Sequence, residues 1–157
     1  MMLAYRLVRL IETHSETLAS SLLKKVQGSG FALAYSKVPP EELKQRVYEI
    51  YLHLGDWLLG KSQLDIERRY LEIGARRAHQ GVPLSQVAWA IVLTKENLWE
   101  FAKRELPSDA VGIFGELELL QLLEQFFDRA IYYAALGYER AVTAESAPEL
   151  HRHAKTA

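Results

Sequence analysis

The sequence predicts one all-α domain, and three observations carry that prediction. Helix formers dominate: 25 Leu and 18 Ala stand against 9 Val, 7 Ile and 5 Thr, and the latter are the residues that favour strands. Apolar residues recur at spacings of three and four through most of the chain, with no alternating run of the strand period. The length of 157 residues suits a single core that buries roughly 70% of the unfolded chain's surface without a metal or disulfide.

Five helical segments are expected. The first, Met2 to Gln27, carries Leu3, Leu7, Leu10, Ile11, Leu18, Leu22 and Val26 on one face, with a skipped turn at His14. Gly28-Ser29-Gly30 breaks it, because glycine frees φ and weakens a helix. Phe31 to Val38 is short, apolar and ambiguous. Pro39-Pro40-Glu41-Glu42 then reads as a helix start: proline loses no hydrogen bond in the first turn, and acids there face the positive end of the helix dipole. Leu43, Val47, Ile50, Tyr51, Leu54 and Leu58 continue that helix to a stop at Gly60.

Ser62 with Asp65 three residues on resembles a capping box, weaker than one closed by Glu or Gln. The helix it opens reaches about Gln80 and is ended by Gly81. Pro83 lies in the first turn of a fourth helix that ends near Leu106, before Pro107. Ser108 or Asp109 caps a fifth, running to about Glu145 before Pro148. The domain is expected to occupy residues 1–146, with 147–157 a frayed tail or the stub of a linker to an output domain.

The fifth helix has two apolar stripes. Leu117, Leu120, Phe127, Ile131 and Tyr138 form one; Leu119, Leu122, Phe126, Ala130, Tyr133 and Gly137 form another about 100° away. A helix serving one core needs a single band, so the second stripe predicts a homodimer interface made by the last two long helices. The alternative is a central helix surrounded by its own neighbours.

Composition excludes several function classes. Nineteen Lys and Arg against 20 Asp and Glu leave a net charge of −1, with none of the basic excess that nucleic-acid binding needs. The chain has no Cys, which removes disulfides, thiolate nucleophiles and cysteine-ligated metals. Near the N-terminus the charged Arg6, Arg9 and Glu12 interrupt any signal-peptide core. No apolar stretch approaches the ~18 residues of a spanning helix, so a soluble cytoplasmic protein is expected, with no membrane partner.

Catalytic patterns are missing too. A di-metal carboxylate bundle places Glu three residues before His, but Ile11, Ile50, Arg76, Pro148 and Leu150 stand before His14, His53, His79, His151 and His153. There is no phosphate-binding glycine loop and no nucleophile elbow. Trp57, Trp89 and Trp99 fall at helical positions and read as core. No enzyme is expected, and no cofactor.

The junction between the third and fourth helices reads Tyr70-Leu-Glu-Ile-Gly74-Ala-Arg-Arg77-Ala78-His-Gln-Gly81-Val-Pro83-Leu84. It resembles the N-terminal sensory domain of RsbR-type stressosome proteins, the RsbT co-antagonist family. Phe127-Asp-Arg-Ala130 and Tyr132-Tyr-Ala-Ala-Leu-Gly137-Tyr138 are similar to that family's last helix, and the likeness runs from Ile11 to about Tyr138. The resemblance implies a non-haem, globin-like dimer that serves as a non-enzymatic signal input, usually fused to a STAS output domain. It also implies STAS-domain stressosome proteins and their switch kinase as wider partners.

The same junction is similar to that of globin-coupled oxygen sensors, in which Ile-Gly-x-x-His supplies the haem ligand. Ile73-Gly74 keeps that frame, but Arg77 stands at the ligand position, and a guanidinium has no lone pair to give to iron. His79 lies about 200° further round the helix. A haem sensor drawing on His79 or His14, and a ligand-free dimerisation scaffold, are the competing readings. Arg77 itself is either a solvated neighbour of Arg76, or a residue that holds an anion or pairs with a buried carboxylate.

Overall fold

The computed structural model describes residues 2–105 and 109–156, and its described side chains are those of residues 4–105, 109 and 112–145. Helix α1 spans Met2–Thr13 and α2 Ser15–Gly28; a 3-10 segment follows at Leu33–Lys37, then α3 at Pro40–Leu52. A π-type turn at Asp56–Gly60 leads to α4 (Gln63–His79), α5 (Leu84–Glu105) and α6 (Ala110–Thr156). No strand occurs among the described residues, so the all-α expectation holds. No helix is long and apolar enough to cross a membrane among them.

Three boundaries differ from the sequence reading, two of them in the first half of the chain. The first predicted helix is divided at His14, which takes a non-helical φ of −102° and ψ of 17°. The skipped turn is therefore a break, and it lets α1 and α2 each turn an apolar side to the core. The predicted helix that begins at Pro39 stops at Leu52, and the remainder up to Gly60 winds as a π turn.

Other local signals act as read. The Ser62–Asp65 capping box closes in both directions: the Asp65 amide donates to the Ser62 hydroxyl, and the Ser62 amide donates to the Asp65 carboxylate. Asp65 lies below the ordinary carboxylate range because the Ser62 hydroxyl and amide donate to it. At the start of α6 the Asp109 carboxylate accepts from the Gly112 amide at 2.8 Å, so Asp109 caps that helix, while Ser108 lies outside the described residues. The helix continues past Glu145, through Pro148, to Thr156.

Helix α6 is the centre of the molecule, packed on α4, α5 and α1. Leu119, Leu123 and Phe127 are buried there with Val8 and Ile11 of α1 and Leu98 of α5. Its most extensive partner is α4, and the two cross at glycines. A Cβ on Gly74 would overlap the Ala134 carbonyl oxygen, and one on Gly137 would overlap the Leu71 carbonyl oxygen. Only hydrogen at both positions allows so close an approach of the two backbones.

Candidate functional site

The junction motif folds as a helix stop followed by a tight turn. Gly81 sits at φ 73°, the left-handed conformation that glycine adopts without strain. Its amide donates to the Ala78 carbonyl at 3.1 Å, and the Val82 amide donates to the Arg77 carbonyl at 3.1 Å. These paired bonds are those of a Schellman cap. Val82 is driven into the core, and its carbonyl accepts from the Tyr138 hydroxyl of α6 at 2.6 Å. Pro83 then precedes α5, its carbonyl accepting from the Gln86 and Val87 amides, and Leu84 begins the helix.

This stop fixes the end of α4 and with it Arg77, whose side chain is 2% exposed. The reading of Arg77 as a solvated arginine is corrected: Ile66, Tyr70, Ile73 and Arg77 are all buried on one face of α4, while Arg76 points outward. Arg77 Nη1 donates to Glu42 Oε1 at 3.1 Å and to Gln80 Oε1 at 2.6 Å. Arg76 clasps the same carboxylate through two nitrogens, the bond to Oε2 being 2.9 Å long. Gln80 also donates to Glu42, and Arg46 lies 3.8 Å from it. Glu42 thus balances three guanidinium groups. The hydrogen bond from Arg76, then Arg77, holds its carboxyl down at about 2 against a partial burial that opposes the shift.

Above Arg77 a cavity of about 50 Å³ opens between α2, α3, α4 and α5. Tyr35, from the 3-10 segment, forms part of its wall, with the Arg77 guanidinium 5.8 Å from the ring centroid. Burial pushes the Tyr35 hydroxyl up to about 12 despite the opposing charge of Arg77. Leu22, Val26, Val47, Ile73, Val87 and Ile91 supply aliphatic lining.

No histidine among the described residues lines this cavity, so it offers a haem no histidine ligand. His79 is on the exposed side of α4, with Nδ1 2.6 Å from the Glu145 carboxylate. His14 is exposed, bonded through Nδ1 to the Leu10 carbonyl, with its ring tilted at 45° to that of Phe101. The side chains of His151 and His153 lie outside the described residues. Trp57, Trp89 and Trp99 are partly buried against the core.

The stripe expected to meet a partner lies elsewhere. Leu119, Phe126 and Ala130 are buried within the chain, and Gly137 is covered by Leu71. Only Leu122 and Tyr133 are partly exposed, with Tyr133 accepting a hydrogen bond from Gln63. The apolar residues that α6 does leave open include Ile113, Phe114 and Leu117, the last two 65% and 57% exposed. Glu42, Gln80, Arg46 and Tyr35 were absent from the sequence reading of the site. The signal for Arg77 was present, since it falls on the same three-and-four spacing as Ile66, Tyr70 and Ile73. Nothing local in the sequence marks Glu42 as its partner.

Residues 9–152 match the family model of the RsbT co-antagonist protein rsbRD N-terminal domain. No curated protein and no solved structure matches the chain.

Proposed function

We propose a signal-input role, on the premise that the chain belongs to the RsbT co-antagonist rsbRD N-terminal family. In this reading the domain is non-enzymatic and cytoplasmic, and serves a stressosome regulator of the RsbR type. A change at the Arg77 cavity passes through α4 into α6 and on to a fused output domain, a STAS domain in the usual family arrangement. Wider partners are then STAS-domain stressosome proteins and the switch kinase they hold. The observation that carries the reading is the direct seating of the junction motif on α6: Gly74 and Gly137 lock the two helices together, and Tyr138 bonds the turn that ends at Val82. An input formed on α4 cannot shift without moving α6, as in interface helix shifts of about 1–2 Å.

The role includes a homodimer, now assigned to the exposed Ile113, Phe114 and Leu117 at the start of α6 rather than to the buried stripe. Sedimentation of the chain checks it. The wild-type protein should run at twice 17.9 kDa, and Leu117→Glu, an exposed position whose change leaves the core intact, should run as a monomer. A wild-type monomer defeats the dimeric mechanism. A Soret band in the same peak after haem addition would favour the gas-sensor alternative instead.

A further inference from the structure

The cavity above Arg77 has a polar inventory of one kind. Tyr35, Arg46, Tyr70, Arg77 and Thr94 are its polar lining residues, and no carboxylate is among them. Thr94 spends its hydroxyl on the Ala90 carbonyl. Tyr70 is 3% exposed, yet its hydroxyl has no hydrogen-bond partner among the described residues. The neighbouring Tyr51 offers a contrast: its hydroxyl donates to the Thr94 carbonyl at 3.0 Å and accepts from Asn97. The buried side-chain polar atoms without a partner among the described residues are Arg69 Nε and Trp89 Nε1, so the Tyr70 hydroxyl reaches the open space of the cavity it lines. A guest that accepts hydrogen bonds can meet it there.

Charge narrows the choice. Arg46 and Arg77 both line the cavity, and Glu42, which faces them from outside it, is already shared with Arg76. Arg46 is held below its ordinary value chiefly by burial, with the like charges of Arg69 and Arg77 adding to it and Glu42 and Glu72 opposing it. Size narrows it further. At about 50 Å³ the space holds only a few water-sized spheres of ~10–15 Å³ each, which favours a guest of a few heavy atoms over a ring. The rest of the wall is apolar, aliphatic apart from Phe127, which disfavours a fully hydrated inorganic ion.

We propose that this cavity binds a short-chain organic monocarboxylate, its oxygens accepting from Tyr70, Arg46 and Arg77 and its alkyl group resting on the aliphatic wall. This deepens the signal-input reading by naming the chemistry of the input. Entry runs past Tyr35, which also lines the outer cleft bounded by Leu23, Gln27, Leu33 and Val38.

Calorimetric titration of the whole chain with propionate tests it, beside propionamide as the uncharged isostere and bromide as a bare anion. Saturable propionate binding in the low millimolar range is expected, about tenfold weaker in Tyr70→Phe, which removes one oxygen and keeps the ring. Arg46→Gln, at a partly exposed position, should weaken it similarly, with thermal melting of both variants checking the fold. Equal binding of propionamide, competition by bromide with no effect of Tyr70→Phe, or no saturable binding at all would overturn the proposal. Sedimentation of the same samples separates the two readings: a dimer that ignores propionate defeats the ligand alone, and a monomer that binds it defeats the dimeric relay alone.

Discussion

Helix α4 has two neighbouring stretches of opposite character within a single turn. At Gly74 its backbone lies on that of α6 with no room for a methyl group. At Arg77, three residues on, it borders an incompletely filled cavity and a crowded set of charges around Glu42. The first stretch is close-packed and apolar, and resists any change of spacing. The second is held by hydrogen bonds and ion pairs whose strength depends on protonation and on what else enters. In the proposed signal-input role, the compliant region would respond and the stiff one transmit.

The largest expected effect breaks the stiff stretch. Gly74→Ala forces α4 and α6 apart, because the obstructing atoms are backbone and cannot swing away. Overpacking of this kind costs about 3 kcal/mol or more, and the melting temperature should fall by roughly 10 °C. A melting curve unchanged within a degree or two would show that the crossing is not a rigid joint.

The next effect belongs to the compliant stretch. Glu42→Gln leaves Arg77 buried without its carboxylate, and stability at neutral pH should drop by about 2 kcal/mol. The same residue sets an acid limit. Its carboxyl is near 2 when folded and 4.5 ordinarily, so its contribution is fully present above about pH 4.5 and is lost as pH falls toward 2. Denaturant titrations across that window should show the wild type losing stability with acid and Glu42→Gln losing less. Parallel curves would remove Glu42 from the account.

The smallest test sharpens the contrast. Tyr138→Phe deletes the hydroxyl that bonds the Val82 carbonyl and should cost about 1 kcal/mol while leaving the glycine crossing intact. If Tyr138→Phe disables output as thoroughly as Gly74→Ala, the turn matters more to coupling than the crossing does.

Much of this architecture was legible in the sequence, because helix ends are written locally. Ser62 and Asp65, Gly81, and Asp109 before the last helix each act within a few residues of themselves. What stayed hidden depends on distant parts of the chain. Arg77 reads as solvated when judged beside Arg76, and becomes a buried cation only once α3 brings Glu42 to it across 35 positions. The stripe from Leu119 to Gly137 has the right spacing for an interface, but spacing does not distinguish a partner from the chain's own α4. The break at His14 was visible as a gap in the apolar pattern. Its meaning, two helices instead of one, required the Thr13 and His14 side chains to turn back onto the Arg9 and Leu10 carbonyls.

The length of α6 gives the crossing at Gly137 a mechanical consequence. Forty-seven residues make a rod about 70 Å long at 1.5 Å per residue, and the crossing at Gly137 lies about one turn past its midpoint. From that fulcrum to Thr156 the lever arm is roughly 30 Å. A tilt of about 5° at the fulcrum, close to an ångström of displacement over the two nearest turns, sweeps the far end through roughly 2.5 Å, the scale of the helix shifts that switch interfaces. On the proposed signal-input role, small adjustments near Arg77 would thereby be magnified at the far end of α6, while the buried N-terminal half of the helix repacks against its neighbours.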